Sequence, residues 1–412
     1  MGTPYNTLIR IIRVVWIISI LLLSSCIRKD RVDDTPRRTL LVYMAADNNL
    51  TQYANPNIYS MNSSIKNGVD KTNLILFVDR AGQAPVLLRL HDMQIDTLKT
   101  YPELNSADAS VFADVVDYVL KNWKAETYGL LMWSHGNGWV PTSMLHYVAP
   151  NLKYVQARDG STPERVVYEG LRDPFADTRA FGWEERKGQQ PAYTCMDLDE
   201  MASALPDGVF DYIAFDACYM GNVEIAYALR NKCRYFISSC YEIMGYGFPY
   251  HIVTKDLLNG SLLKVCREFH NYYATQSGFD QMGGISLVKT DGLDSLATCF
   301  SRIVDLARDT IPNYPIIDLQ RFDRFANPVF FDLEDFVSNI CTDSDLLTEF
   351  RLQLERCVSF KMSTPYIFKD SGDQIEIRKY CGLSVYIPRK KYDSSGLNDE
   401  YRKTAWSIAT GY

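Results

Sequence analysis

The sequence predicts an α/β fold: a largely parallel sheet flanked by helices on both faces, with a smaller C-terminal α+β region. Three observations carry this. Continuous apolar runs of five to seven residues recur along the chain, as strands buried on both faces require. Segments with helical spacing lie between them, the alternation that a parallel sheet produces. Several runs end abruptly at a charged or polar residue, which marks the sheet edge where reacting groups gather in such folds.

Leu40 to Ala46 (LLVYMAA) is the first strand, closed by Asp47-Asn48-Asn49. Leu74 to Val78 (LILFV) is the second and stops at Asp79. Val86 to Leu98 alternates like a hairpin at the sheet edge. Asp108 to Trp123 places Val111, Phe112, Val115, Val116, Val119 and Leu120 on one helical face. Tyr128 to Trp133 (YGLLMW) is a third buried strand and runs straight into Ser134-His135-Gly136. A polar stretch from Gly138 to Thr194, rich in Arg, Asp, Gly and Pro, follows. Asp197 to Leu205 reads as a short helix, and Phe210 to Phe215 as a strand ending at Asp216-Ala217-Cys218. Tyr219 to Arg230 has helical spacing, and Tyr235 to Ser239 is a fifth strand. Beyond it, Leu262 to Thr275 and Leu293 to Leu306 read as helices and Gly284 to Val288 as a strand. Two helices fit between Asp332 and Leu354, and Gly382 to Pro388 (GLSVYIP) is a strand of the main sheet or of a small one.

The first residues follow another logic. Arg10 and Arg13 precede a short apolar run from Val14 to Leu23, then Ser24-Ser25-Cys26. That is a signal peptide over residues 1–25, and a Cys directly after Leu-Ser-Ser resembles a bacterial lipobox. Cys26 is then the lipidated N-terminus, and residues 26–38, charged and containing Pro36, form a tether. The expected location is the bacterial cell envelope, with a membrane contact through the lipid. A formal charge of −7 argues against a nucleic-acid partner. Nine Cys remain after Cys26, an odd number with no Cys-x-x-Cys pair, so at least one thiol stays free unless it pairs between chains. No zinc-like spacing and no Asp-x-Asp-x-Asp-Gly calcium loop occurs, so no metal ligands are assigned.

Two residues stand where a nucleophile and a proton carrier are useful. Cys218 lies at a strand-to-helix turn, where its sulfur is expected to be exposed and to benefit from the positive end of a helix dipole. His135, also past a strand end, can carry a proton to a leaving amine. Gly136 lets the chain approach a bound substrate, so its N–H and that of Cys218 can face a tetrahedral oxygen. Asp216 faces the same way as Cys218 and can offer a cationic side chain a charge-assisted bond; it can equally cap the helix expected from Tyr219. His91, His146, His251 and His270 lack such context and read as structural or surface residues.

YMAADNNL (Tyr43 to Leu50), LLMWSHGNGW (Leu130 to Trp139), FDACYMGNVEIAYALR (Phe215 to Arg230) and GLSVYIP resemble the landmarks of the clostripain-like cysteine peptidases, of the caspase, legumain and gingipain clan. The resemblance covers most of the chain from Leu40 to about Pro388. It implies a caspase-like catalytic domain over residues 39–290 and a C-terminal region over residues 291–412. It also implies a Cys218–His135 dyad and cleavage of protein or peptide substrates after Arg, with Lys as the second candidate. Asp216 matches the acidic residue that recognises the basic side chain. No organic cofactor is implied; calcium is left open, since some relatives depend on it. Self-cleavage within residues 138–194 is a further expectation, because that polar segment carries Lys153, Arg158, Arg165, Arg172, Arg179, Arg186 and Lys187. One departure stands out: after the strand YFISS the chain reads Cys240-Tyr241-Glu242-Ile243, then MGYGFPY. It keeps open the alternative of a catalytically silent binding lipoprotein of the same fold; a peptidase of the same clan cleaving after Asn or Asp is a third reading, disfavoured because Asp216 adds negative charge to the pocket.

Overall fold

Nine strands build the main sheet in the computed structural model, which describes residues 35–148, 153–155, 165–167, 181–185 and 193–412. They are β1 (Arg38–Ala46), β2 (Thr72–Arg80), β3 (Gln83–His91), β4 (Gln94–Thr100), β5 (Thr127–Trp133), β6 (Phe210–Asp216), β7 (Cys233–Ser238), β8 (Gly284–Lys289) and β9 (Val358–Ser363). Their spatial order is β9-β8-β7-β6-β5-β1-β2-β3-β4. The five central strands are mutually parallel, and each margin is an antiparallel pair. Reading outward from β1, the chain first goes to β2 on one side and then to β5 on the other. The carboxyl ends of β1 and β5 therefore flank a topological switch, the place where open α/β sheets hold their sites.

The apolar runs account for this centre. All nine residues of β1 are buried, as are seven of nine in β2, because helices cover both faces. The helix α2 (Ala109–Asn122, after α1, Thr51–Ser64) buries Phe112, Val115, Val116 and Val119, the face its spacing predicts, and Asp108 caps it by accepting the Ser110 N–H. The predicted hairpin is β3–β4. Its two-residue turn, Asp92-Met93, has φ of 47° and 63°, the pair of positive values such a turn demands.

The C-terminal region lends β9 to the sheet and adds helices, among them Leu293–Ala307, Leu333–Ile340 and Ser344–Cys357. The GLSVYIP segment builds a small sheet of its own, where Ser384–Val385 pairs with Phe331–Asp332. Cys26, the signal peptide and most of the tether lie outside the described residues, as does most of the stretch 138–194 in which self-cleavage was expected.

Candidate active site

The register of β5 against β6 brings the two predicted residues together. Trp133 is opposite Asp216, and the Ser134 N–H donates to the Asp216 carbonyl oxygen at 3.3 Å. His135 and Cys218 each stand two residues beyond that last pair. The two loops then touch: a Cβ at Gly136 would lie 2.4 Å from the Cys218 carbonyl oxygen and 3.1 Å from the Ala217 Cβ. Only glycine permits this approach.

His135 is wholly buried. Its Nε2 lies 2.6 Å from Asn49 Oδ1, at the end of β1. With the amide oxygen accepting the Nε2–H, the basic nitrogen of the neutral ring is Nδ1. The Ser134 hydroxyl donates to the Ala45 carbonyl oxygen at 2.6 Å, tying the same turn to β1. Asn49 was not singled out in the sequence as a site residue. Its signal was present in the Asp47-Asn48-Asn49 stop after the first strand, but the pairing depends on a contact 86 positions apart.

Cys218 corrects one expectation. Its side chain is not exposed: the residue retains 3% of its accessible surface. The Sγ accepts the Ile243 N–H at 3.4 Å and donates to the Ile243 carbonyl oxygen at 3.7 Å. Burial, then the charge of Glu242, push the thiol well above its usual range. The helix dipole does not act at the sulfur, because the helix begins later than the spacing suggested. It runs from Val223 to Ala228 and is capped by Asn222, whose side chain accepts the Ile225 N–H. Asp216 is therefore not the cap. Between Cys218 and the helix, Tyr219 adopts φ of 57°, a left-handed conformation that costs a non-glycine residue about 1–2 kcal/mol.

Asp216, Cys218, Trp133, Ile243, Met244, Gly245 and Gly247 line one cavity of about 20 Å³, room for about one water. Asp216 Oδ2 accepts the Phe248 N–H at 3.0 Å and the Tyr250 hydroxyl at 2.5 Å. Burial still lifts this carboxyl to about 6, with those two donors opposing the rise. Gly247 closes over it, at φ of 70°, where a Cβ would fall 2.3 Å from Oδ2. The Gly-Tyr-Gly-Phe-Pro loop whose contacts were open in the sequence is thus the wall of the Asp216 pocket. Tyr250, which opens the helix Tyr250–Asn259, was not expected in this role. Among the described residues no group of three or more His, Cys, Asp or Glu is placed to hold a metal ion. Nor, among the described residues, is any helix long and apolar enough to cross a membrane.

Both the sequence and the fold resemble those of known proteins. The sequence profile of the clostripain family matches residues 42–154 and 168–353. Clostripain of Hathewaya histolytica is 25% identical over 253 residues, covering 54% of this chain and 42% of that protein. The chain thus spans less than half of clostripain's length. Among solved structures, an inactive zymogen of a C11 protease from Parabacteroides distasonis superposes with a TM-score of 0.74 at 28% identity, covering 91% of this chain and 98% of that one. A secreted C11 cysteine protease from Bacteroides thetaiotaomicron superposes at 0.70 with 26% identity, over 91% of this chain and 99% of that one. A structure of a secreted C11 protease from the same organism in complex with an irreversible peptide inhibitor superposes at 0.71 and 26%, over 90% and 98% of the two chains. The expected caspase-like fold is borne out.

Proposed function

The chain belongs to the clostripain family, and on that premise we propose that it is a cysteine endopeptidase that cleaves after Arg, with Lys second, through a thioester on Cys218. The observation that carries the reading is the contact of the two strand ends, with Gly136 pressed against the Cys218 carbonyl oxygen. His135 takes the thiol proton, and Sγ attacks the scissile carbonyl carbon. The N–H groups of Gly136 and Cys218 receive the developing oxyanion. His135 returns the proton to the leaving amine, and water then hydrolyses the thioester. Asp216, ionised and half-satisfied by Phe248 and Tyr250, recognises the basic side chain from the floor of the pocket.

A cavity of about 20 Å³ cannot take an arginine, so the loop from Ile243 to Pro249 has to move before substrate enters. That requirement fits activation by self-cleavage between the histidine and cysteine strands. Export, with lipidation at Cys26 and an anchor in the bacterial envelope, rests on the Leu-Ser-Ser-Cys motif; one solved relative is described as secreted.

The test is hydrolysis of fluorogenic peptides ending in Arg, Lys, Asn or Asp by the chain and by Cys218→Ala. Each is assayed with and without calcium and after a tryptic nick. Cleavage after Arg or Lys that vanishes in Cys218→Ala is expected. Activity retained in the variant, or cleavage only after Asn or Asp, refutes the reading.

A further inference from the structure

The residues beyond 290 have no part in the chemistry above, yet they supply the brace for the nucleophile turn. Tyr219, next after Cys218, is fully buried in its left-handed conformation. Its N–H donates to the Tyr241 carbonyl oxygen at 3.2 Å. Its ring stacks on Phe330, with centroids 5.0 Å apart and planes at 12°. Its hydroxyl donates to Glu242 Oε1 at 2.8 Å. Glu242 in turn sets Oε2 3.7 Å from Nη2 of Arg324, with the two side chains 3% and 5% exposed. The Arg324 guanidinium lies 3.7 Å over the Phe368 ring. Arg324 and Phe330 belong to one loop, closed on the buried Asp323 carboxylate, which accepts the N–H groups of Phe325, Val329 and Phe330. The residue after Glu242 is Ile243, whose backbone holds the Cys218 sulfur on both its N–H and its carbonyl.

We propose that Glu242 and Arg324 are positioning residues of the catalytic centre, a buried pair of opposite charges that holds Tyr219, and through it Cys218, and balances the charge facing the thiol. This rests on the reading of Cys218 as nucleophile. The charges of two carboxylates act on that sulfur, Glu242 from the loop after β7 and Asp216, which shares its cavity, from the end of β6. His135 stands at the neighbouring strand end, and Arg324 compensates Glu242 from the C-terminal region. A single buried charge left without its partner is costly and acts strongly on its neighbours. Removing the two partners one at a time therefore moves the thiol in opposite directions.

The experiment is alkylation of the full chain with iodoacetamide from pH 6 to 10, read at the Cys218 peptide by mass spectrometry, beside kcat and KM. Glu242→Gln keeps an acceptor for the Tyr219 hydroxyl and leaves the Arg324 cation, so Cys218 alkylates about tenfold faster at a fixed pH below its titration. Arg324→Met leaves the Glu242 anion, and alkylation slows by a similar factor. The double variant returns close to the parent, and in each case kcat moves while KM does not. Shifts in the same direction, or none, overturn the proposal, because a merely structural pair predicts no opposed signs. Where a single variant does not fold, Tyr219→Phe decides: it removes one hydroxyl from an intact charge pair, and an unchanged kcat overturns the proposal. Alkylation at Cys218 is read without any turnover, so it stands apart from the Cys218→Ala result that judges the nucleophile itself.

Discussion

Replacing Asp216 by Asn is expected to stabilise the protein and to disable it. Asp216 is 5% exposed, and among the described residues its hydrogen-bond donors are a backbone N–H and a tyrosine hydroxyl, with no cation beside them. Its carboxyl rises from 3.8 to about 6, chiefly because burial penalises the charged form. A rise of that size corresponds to about 3 kcal/mol between the two protonation states. From about pH 4 to 6 the folded chain keeps a proton that the unfolded chain has lost. The contribution of this group to stability is therefore fully present below pH 4 and is lost as pH rises through 6. Asn keeps an oxygen for Phe248 and Tyr250 and has no charge to desolvate. A gain of about 1–2 kcal/mol is expected at pH 8, below the ceiling because a neutral acceptor binds its donors less strongly, and almost none at pH 4. Recognition moves the other way. Loss of one charge-assisted bond lowers kcat/KM for Arg or Lys substrates about 10–100-fold, and in the parent the same loss sets in as pH falls below about 6. Urea denaturation at pH 4, 6 and 8, in a Cys218→Ala background that prevents self-digestion, measures the first half; peptide hydrolysis measures the second. A variant less stable than its parent at pH 8, or a difference that does not change with pH, would show that the carboxylate is not an unpaid desolvation cost and would refute the reasoning.

Asn49→Ala removes the acceptor that orients His135, so kcat is expected to fall about 10–100-fold with KM unchanged, less than the roughly 10²–10⁴-fold that a positioned proton carrier itself contributes. A pH–rate profile identical to the parent's would mean that Asn49 does not set the histidine. Cys26→Ser is expected to shift the full chain from the membrane pellet to the soluble fraction of its host, and an unchanged distribution would rule out the lipid anchor.

The parallel centre of the sheet could be read in advance because its strands are buried on both faces and so appear as unbroken apolar runs. The candidate dyad was legible for a related reason: each of its members directly follows such a run. What escaped was structure whose buried faces are polar. Helix α1 (TQYANPNIYSMNSS) has no apolar period and contains Pro56, yet it buries Asn57 and Asn62 beside Ile58 and Met61. It walls the site, with the Tyr53 ring 2.9 Å from where a Cβ at Gly245 would stand. β9 (VSFKMS) is a half-exposed margin strand with no residue fully buried, so its pattern gave no core signal. The first turns of the helix expected from Tyr219 were overwritten by Asn222, whose cap starts the helix at Val223. Burial of Cys218 was invisible for another reason. It depends on Ile243 and Gly247, a loop that folds back 25 or more residues downstream.

Phe330 has a consequence for the order of synthesis. It stacks on Tyr219 and fills the space beside Gly138, where a Cβ would meet its ring at 2.5 Å. The loops bearing His135 and Cys218 are thus wedged from a residue more than a hundred positions further along the chain. A growing polypeptide completes β1 to β7 and both loops while that wedge has not yet been made. Until it arrives, the turn at Tyr219 lacks its stacking partner, and the left-handed conformation next to Cys218 rests on the Tyr241 carbonyl oxygen and the Glu242 carboxylate. Cys218 is thus synthesised well before the side chain that wedges its turn, and the order of translation alone sets which of the two is in place first.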